Sequence, residues 1–422
     1  MGCASSIPKR YSVGRRKKKN ISIDEVAVFV PVFWIPVDVD LVRPLRGLVP
    51  PDALEKLSTL RRRIVSLVKE SSFSSISNVL EAHRALDDYL PILIGLVKPE
   101  SQLEASVEFK WKSLGDDGHV ICLASAWYEM LSVVHMKAIL SFLEANLILM
   151  SKDNPDSLEI KVSEDSKSTA IELLLKGSGC LEYVIHHILV HLPTQIRKNL
   201  PMDIQEGILE AISSQALAQC VEMQLGLALS EKVTLSVKRR LACEEVSYFA
   251  QAHYWLSRCD TSDAYGKKLL LFIRWKFLEA KAAAYYYHSH ILDKGSEPSD
   301  HISAVCCLFA ADELLIESKR ANLSFCLAAP VTRVPPPWGV MKHLYKKIPE
   351  VASKKSQMYR YLFEEDKNGH LQALPDLPEF PLSLRPDDYE LPEVDACWSS
   401  ENWQPQLLTL KAHLKDEEID SD

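Results

Sequence analysis

The chain has 422 residues, of which 47% are hydrophobic and 25% charged, the composition of a folded globular protein and not of a disordered one. Only 14 glycines are present, which argues against a nucleotide-binding α/β enzyme with glycine-rich turns and makes helices the default expectation. The formal net charge is −8, yet the first 19 residues contain seven basic and no acidic side chains, so the remaining body carries −15 and is a poor candidate for nucleic-acid binding.

The N-terminal segment has the features of a lipid anchor. Gly2 follows Met1, and Ser6 lies four positions after Gly2, which is the pattern for N-myristoylation, with Cys3 as a palmitoylation site. One myristoyl chain binds membranes only marginally, so stable anchoring needs a second signal from another acyl chain or from basic residues. The sequence predicts a membrane-targeting segment over residues 1–20, with a nuclear-localisation signal or an inert tail as the alternatives. Its basic residues are Lys9, Arg10, Arg15, Arg16, Lys17, Lys18 and Lys19.

Hydrophobic periodicity predicts short strands followed by a long helical body. Residues 25–41 (EVAVFVPVFWIPVDVDL) combine β-branched and aromatic residues with two prolines, which is typical of edge strands. From residue 51 onward, apolar residues recur at helical spacing and short connectors separate the helices. Such a series predicts a solenoid of antiparallel helix pairs. The predicted helices cover residues 52–70, 75–97, 118–150, 166–192, 202–229, 230–258, 261–292, 298–322 and 337–363.

The C-terminal segment, residues 364–422, is rich in proline and ends in an acidic tip. It is predicted to form an extended arm that packs back on the helical body. The aromatic residues available for this packing are Phe380, Tyr389, Trp398 and Trp403.

The cellular compartment is indicated by two absences in the sequence. The ten cysteines contain no CxxC pair and lie mostly in apolar helical runs, which predicts reduced thiols in a cytosolic protein. Glu129, His135, Lys137 and Glu144 interrupt the most apolar segment, residues 120–150, so no bilayer-spanning helix is expected.

Two histidine pairs are the first candidates for metal or catalytic chemistry. His187 and His191 are spaced i,i+4 and could face one metal ion, but no H-E-x-x-H pattern and no third ligand accompany them. His288 and His290 lie two residues apart, which points them to different faces of a helix. Surface, core or interface roles therefore suit these histidines better than catalysis.

Two further motifs are also interpreted as structural. Residues 176–179 (KGSG) lack both the preceding strand and the Lys-Ser/Thr of a phosphate loop, so they predict a helix irregularity. The adjacent Cys306 and Cys307 lie in an apolar helix, which favours packing over a redox switch. Because no nucleophile, base and orienting group assemble, we expect a non-enzyme without metal or cofactor.

Several segments read together resemble the Bro-domain family of the Alix, Rhophilin and Brox type. Residues 109–112 (FKWK) are similar to the short aromatic strand of the family, and residues 217–222 (LAQCVE) to its LAQAQE motif. The Gly2 and Cys3 start fits the single-domain, plant-type endosomal-targeting members. Residues 125–128 and 355–356 depart from the family pattern. The other similar segments are residues 120–138 and 168–189, which resemble two successive long helices, and residues 232–249 and 354–359.

The resemblance implies a fold and a domain organisation. It implies a mainly α, boomerang-shaped solenoid with a small β-sheet from the N-terminal strands and an extended C-terminal arm. The Bro-like domain would cover residues 25–395, followed by an acidic tail over residues 396–422.

The resemblance also implies a partner and a binding site. Bro domains bind the C-terminal amphipathic helix of an ESCRT-III subunit of the charged-multivesicular-body type, and the contact pair of the family falls on Val237 and Leu241. With Val233 these residues form an i,i+4,i+8 stripe that suits a helix-in-groove contact but could equally be core. Leu344 and Ile348, from a later helix, are further candidates.

The function expected from these features is a non-catalytic, membrane-anchored adaptor in endosomal sorting. It would be a monomer at the cytoplasmic face of endosomal or plasma membranes, with a cytosolic pool and no nucleic-acid partner. One alternative is a lipid-tethered scaffold that binds another protein through the aromatic arm. Another is a membrane-attached enzyme that uses the histidine pairs.

Overall fold

The structure is a computed structural model that describes residues 25–70, 73–99, 101–114, 118–150, 162–231, 233–335, 339–365 and 374–399. The predicted lipid anchor, with Gly2, Cys3 and all seven basic residues, lies outside the described residues, and so does Trp403.

The body is mainly α-helical, as expected, and its elements follow one another with short connections. The N-terminal part contains β1 (Trp34–Pro36), α1 (Val42–Leu45), α2 (Pro51–Glu70), α3 (Ile76–Val97), β2 (Glu108–Ser113) and β3 (Val120–Ala124). The central part contains α4 (Ala126–Met150), α5 (Glu164–Tyr183), α6 (Thr194–Lys198), α7 (Glu206–Ser230) and α8 (Leu235–Leu256). The last part contains α9 (Ala264–Leu292), α10 (Pro298–Leu327), α11 (Gly339–Met358) and α12 (Arg360–Glu365).

The long helices pack in chain order, which confirms the predicted solenoid. Each of α3, α4 and α5 packs on the next long helix, and the series continues from α5 through α7, α8 and α9 to α10. Serine and aspartate side chains cap several helix starts, because they accept hydrogen bonds from backbone N–H groups that the first turn leaves free. Ser75 caps α3, Ser163 caps α5 and Asp263 caps α9.

The small sheet is antiparallel in the order β1, β2, β3. The predicted aromatic strand at residues 109–112 is confirmed, since Trp111 in β2 pairs with Pro36 on one side and with Ile121 on the other. The helix predicted from residue 118 is wrong at its start, because residues 120–124 form β3 and the helix begins at Ala126. Of the edge strands predicted over residues 25–41, only Trp34–Pro36 pairs in the sheet.

The KGSG segment is a site of close packing and not the helix irregularity that we predicted. It lies within the regular helix α5. A Cβ atom on Gly177 would lie 2.5 Å from the ring of Phe142, and one on Gly179 would lie 2.0 Å from the carbonyl oxygen of Asp387. Glycine is therefore required by the neighbouring helix and by the C-terminal arm. The helical irregularity comes later, in the π-helical turn Val184–Ile188.

Two helices, over Ala126–Met150 and Glu164–His191, are long and apolar enough to cross a membrane by length and composition alone. Both belong to the protein core, where 72% and 56% of their most apolar windows are buried by other elements. The first also contains Glu129, whose carboxylate forms an ion pair with Arg61 inside the protein. Their apolar character reflects core packing.

The C-terminal arm packs back on the body, as predicted. The ring of Tyr389 meets that of Tyr183 edge-on, with centroids 5.2 Å apart. Trp398 lies against Gly95 in α3 and donates from Nε1 to the carbonyl oxygen of Ile92 at 3.0 Å. Phe380 packs against a second, smaller core cluster between α8, α9, α10 and α11. The predicted domain limit at residue 395 stays a prediction, although Trp398 extends this packing three residues beyond it.

Candidate protein-binding site

The predicted stripe lies at the corner between α7 and α8. The chain leaves α7 after Ser230, the backbone N–H of Val233 donates to the carbonyl oxygen of Ala228 at 3.3 Å, and α8 begins at Leu235. Val233 therefore precedes the helix, and only Val237 and Leu241 lie on it. The stripe thus has one residue in the connection between the two helices and two residues on the first two turns of α8.

The three residues of the stripe differ in exposure. The side chain of Val237 is on the surface, with 42% of the residue exposed. Val233 and Leu241 are half-buried, and Leu241 packs against both core clusters. Val237 is thus available to a partner as it stands, whereas Leu241 also stabilises the fold.

The structure corrects the assignment of Leu344 and Ile348. Both residues are 0% exposed and belong to the second core cluster. They lie one turn apart on α11, which packs with this face against α7, α9 and α10. A partner could reach them only if α11 moved away, so they are core residues.

Basic side chains surround the exposed end of α8. Lys238, Arg239 and Arg240 follow Val237, and Arg240 is exposed. The guanidinium of Arg239 lies 5.8 Å from the centre of the Phe380 ring and 3.5 Å from Nδ1 of His288. Burial and the charge of Arg239 lower the pKa of His288 below its ordinary value. This end of α8 thus presents an apolar residue among cationic groups.

The C-terminal arm covers the following turns of α8. The carboxylate of Glu244 accepts hydrogen bonds from the backbone N–H and the hydroxyl of Ser383. The hydroxyl of Tyr248 donates to the carbonyl oxygen of Leu384 at 2.7 Å. The arm therefore covers the side chains of Glu244 and Tyr248. The surface of the first two turns of α8, together with the connection before them, we call the α8 patch: Val233, Val237, Leu241 and the basic residues 238–240.

A buried charge cluster lies beneath the α8 patch. The ammonium of Lys276 in α9 contacts Glu222 of α7 at 2.6 Å and Glu279 at 3.2 Å. Glu245, one turn after Leu241 on α8, is 4% exposed. Burial and the charge of Glu222 raise the pKa of Glu245 well above its ordinary value. The position of α8 thus depends on a cluster with more carboxyl groups than cations.

Three of the four histidines in the two pairs pack against aromatic rings. His191 stacks on Trp127 with ring centroids 3.8 Å apart, and His187 stacks on Tyr183 at 4.8 Å. His290 meets Tyr286 edge-on at 4.6 Å. Within the described part of the chain, no group of three or more His, Cys, Asp or Glu side chains could hold a metal ion.

The cysteine pair fits the packing interpretation. Cys307 is fully buried in the second core cluster, and burial raises the pKa of its thiol to about 12. A thiol with so high a pKa is a poor nucleophile near neutral pH, because the reactive form is the thiolate.

An exposed apolar stripe on α10 was missed by the sequence reasoning. Phe309, Ile316 and Leu323 recur every seven residues and are 46%, 47% and 59% exposed, and Leu327 continues the stripe. The heptad spacing is visible in the sequence, but we ended the predicted helix at residue 322, before its last members. Spacing also cannot tell an exposed apolar face from a buried one.

The fold and the position of α8 allow comparison with known proteins. A family model described as BRO1-like domain matches residues 51–359, from the start of α2 to just past the end of α11. The chain belongs to the BRO1-like domain family. No curated protein matches this BRO1-like chain in sequence. The expected closeness to single-domain plant-type members remains a prediction.

The solved structures that share the BRO1-like fold include two of ALIX and one of a Bro1 domain. A complex of the ALIX BRO1 domain with CHMP4C is 19% identical with a TM-score of 0.63, and the match covers 87% of this chain and 97% of that one. ALIX bound to the SIVmac239 PYKEVTEDL late domain is 18% identical with a TM-score of 0.60, and the match covers 93% of this chain and 53% of that one. A structure on endosomal targeting by the Bro1 domain is 15% identical with a TM-score of 0.56, and the match covers 87% of this chain and 93% of that one.

Proposed function

We propose that this BRO1-like protein is a non-catalytic adaptor that binds the C-terminal amphipathic helix of an ESCRT-III subunit through the α8 patch. The observation that carries the proposal is the exposed side chain of Val237, at a position that the family resemblance assigns to partner contact. The solved complex of the ALIX BRO1 domain with CHMP4C supports it, because that domain shares the fold over 87% of this chain.

The chemistry of the α8 patch suits an amphipathic helix with acidic flanks. Such a helix would lay its apolar residues on Val237 and the exposed part of Leu241. Lys238 and Arg240 would face its acidic residues and would raise the association rate more than the final affinity. The arm covers Glu244 and Tyr248, so the contact would use the turns of α8 that precede them.

Val237→Asp tests this site. We expect the substitution to weaken binding of an ESCRT-III C-terminal helix peptide by roughly 30-fold or more, since a charge in a desolvated apolar contact has no partner. Folding should survive, because Val237 is 42% exposed. Fluorescence anisotropy with a labelled peptide measures binding, and thermal melting measures folding.

Val190→Asp is the matched control, since Val190 is 58% exposed and lies outside the α8 patch. It should bind as wild type does. Leu241→Asp should lose both binding and stability, because Leu241 also packs on the core. A folded Val237→Asp protein with wild-type affinity would rule out the α8 patch as the binding site.

We further propose that residues 1–20 anchor the adaptor to the cytoplasmic face of endosomal or plasma membranes, in equilibrium with a cytosolic pool. The support is the coincidence of Gly2, Cys3 and Ser6 with a basic run. Concentrating the α8 patch at a membrane would favour its encounter with a membrane-bound filament. We expect the adaptor to be a monomer, without a catalytic role.

Gly2→Ala should move the protein to the cytosol, because it removes the myristoyl chain and the membrane visits that expose Cys3 to acylation. Cys3→Ser should leave partial binding. Gly14→Ala, in the same segment, is the control and should behave as wild type. Fractionation of cell membranes measures the distribution, and a Gly2→Ala protein that stays quantitatively on membranes contradicts the proposal.

A further inference from the structure

An open apolar groove lies beside the point where the described chain begins. Its volume is about 500 Å³, within the range of small-molecule sites. It is lined by the extended segment that carries Phe33 and by the last part of α4. We call this cavity the N-terminal groove.

The walls of the N-terminal groove are apolar and incompletely covered. Leu143, Leu147 and Met150 lie at i, i+4 and i+7 on α4, and each is only partly buried, whereas most of the preceding turns are buried. Leu114 at the rim is 52% exposed. Free apolar surface of this kind at the edge of a core marks a place for an apolar ligand.

A strained residue shapes one side of the groove. Phe73 has a φ of 47°, a left-handed conformation that a bulky side chain rarely adopts. Its ring stacks on that of Phe33, with centroids 5.4 Å apart and planes 14° from parallel. Strain of this kind persists only where surrounding contacts hold it, and it is found at ligand sites.

The described residues that line the N-terminal groove offer no free charge. Lys268 at its floor is 2% exposed, and its ammonium donates to the carbonyl oxygens of Phe325 and Ala328 and to Oγ1 of Thr332. These three acceptors use all three donors of the ammonium. The other charged residue among the described lining residues, Glu25, pairs with Arg333 at 3.2 Å. The groove therefore suits an uncharged apolar chain.

We infer that the N-terminal groove holds the acyl chain attached to Gly2 of the same molecule. The inference rests on the acylation that we propose above. Glu25 lines the groove, and the next residue is held there by a hydrogen bond from Val26 N–H to the carbonyl oxygen of Arg333 at 2.9 Å. The chain from Gly2 to Glu25 can span up to about 75 Å when extended, so its acyl group reaches the groove without difficulty. The amide bond at Gly2 leaves the acyl group uncharged, as the groove requires.

Such a groove competes with a membrane for the myristoyl chain. A single myristoyl chain binds membranes with an association constant of only about 10⁴ M⁻¹. A tethered chain meets its own groove at an effective concentration in the millimolar range. The groove thus keeps the singly acylated protein in the cytosol, and palmitoylation of Cys3 shifts the balance to the membrane.

The test uses the full chain with Cys3→Ser, myristoylated by co-expressed N-myristoyltransferase, and neutral phosphatidylcholine vesicles. If the groove holds about nine-tenths of the acyl chains, filling it with Leu147→Trp should raise vesicle binding about tenfold. Leu114→Asp should also raise vesicle binding. Because Leu114 is exposed at the rim of the groove, this substitution should not destabilise the fold. Leu323→Asp, at a similarly exposed position on α10 outside the groove, is the control and should not change binding.

Thermal melting gives a second readout. Myristoylation should raise the midpoint temperature of unfolding of the Cys3→Ser protein. It should leave the midpoint temperature of the Leu147→Trp variant of that protein unchanged. Equal vesicle binding by all variants, with no shift on myristoylation, would overturn the inference. Equal stabilisation of the non-acylated protein by one equivalent of free myristate would also overturn it, because the groove would then serve an external lipid.

This experiment separates the inference from the proposed function. Enzymatic acylation in the test does not depend on whether Gly2 is acylated in the cell. Peptide binding to the α8 patch uses another surface, so Val237→Asp should not change vesicle binding.

Discussion

Arg61→Met is expected to lower the free energy of unfolding by about 3–5 kcal/mol, because it leaves the Glu129 carboxylate buried without its cation. The two side chains are 2% and 0% exposed, and Nε of Arg61 lies 2.9 Å from Oε1 of Glu129. The hydroxyl of Tyr89 and the indole N–H of Trp111 also donate to this carboxylate, at 3.1 Å and 2.6 Å. The network therefore ties α2, α3 and β2 to the first turn of α4.

The same arginine also holds the N-terminal segment. Its guanidinium donates to the carbonyl oxygens of Val37 and Lys110, at 2.6 Å and 3.4 Å. Methionine has a side chain of similar length but supplies none of these hydrogen-bond donors. Loss of the arginine should therefore weaken the attachment of the segment that contains β1, as well as the contact with α4.

Arg63→Met is the matched control for Arg61→Met. Arg63 lies on the same helix and pairs with Asp88 at 2.8 Å, but the two side chains are 42% and 54% exposed. Exposed pairs contribute about 0–1 kcal/mol. Urea denaturation followed by circular dichroism measures both variants, and equal losses for the two would contradict the assigned role of the buried network.

Lys276→Met is the second substitution with a large expected effect, again a loss of about 3–5 kcal/mol. The ammonium is the partner of Glu222 and Glu279 beneath the α8 patch. Burial alone would lower the pKa of Lys276, but the charges of these two glutamates outweigh burial and raise it. Without the lysine, Glu222, Glu245 and Glu279 would share one buried site with no cation.

Arg274→Met is the control for Lys276→Met. Arg274 lies on the same helix, and it and its partner Glu317 are 61% and 47% exposed. Its loss should therefore be small. A Lys276→Met protein as stable as Arg274→Met would show that the cluster does not need its lysine.

Glu245→Gln should change how stability depends on pH. Because the pKa of Glu245 is raised in the folded protein, the stabilisation it gives is complete below its unfolded pKa of about 4.3 and is lost as pH rises through the folded pKa. A glutamine stays neutral, so the variant should gain stability over wild type as pH rises. Urea denaturation of both proteins between pH 5 and pH 9 measures this difference.

Other groups near the cluster and in the core are the same in both proteins. Tyr287 and the Tyr345 hydroxyl, which donates to Glu279, keep their positions. Burial lowers the pKa of His83 and His135 to about 4, so their stabilisation is lost as pH falls below about 6.5. Their effect opposes that of Glu245 but cancels in the comparison. Identical pH profiles for the two proteins would contradict a raised pKa at Glu245.

The helical body could be predicted from the sequence because its signals are local. Apolar residues at helical spacing over 20 or more residues are present in each long helix, and prolines and polar clusters end them. The start of α2 and the limits of α3 and α9 were predicted to within a few residues. The aromatic strand at residues 109–112 was identified by family resemblance.

Tertiary structure decided which apolar faces are covered. Val237, Leu344 and Ile348 all belong to apolar stripes, yet only Val237 is exposed. Helix α11 packs its stripe against other helices, whereas the arm packs on α8 at Glu244 and Tyr248 and leaves Val237 uncovered. The strand at residues 120–124 forms because β2 pairs with it, a contact that helical spacing does not reveal.

The buried ions and the N-terminal groove were also beyond the sequence. Glu129 looks like a polar interruption of an apolar helix, and only the approach of Arg61 from another helix makes it part of the core. The groove is formed by segments more than 200 residues apart in the chain, including Phe33 and Phe325. Local spacing determines the type of each element, whereas the burial of a face and the pairing of a charge depend on elements that only the folded chain brings together.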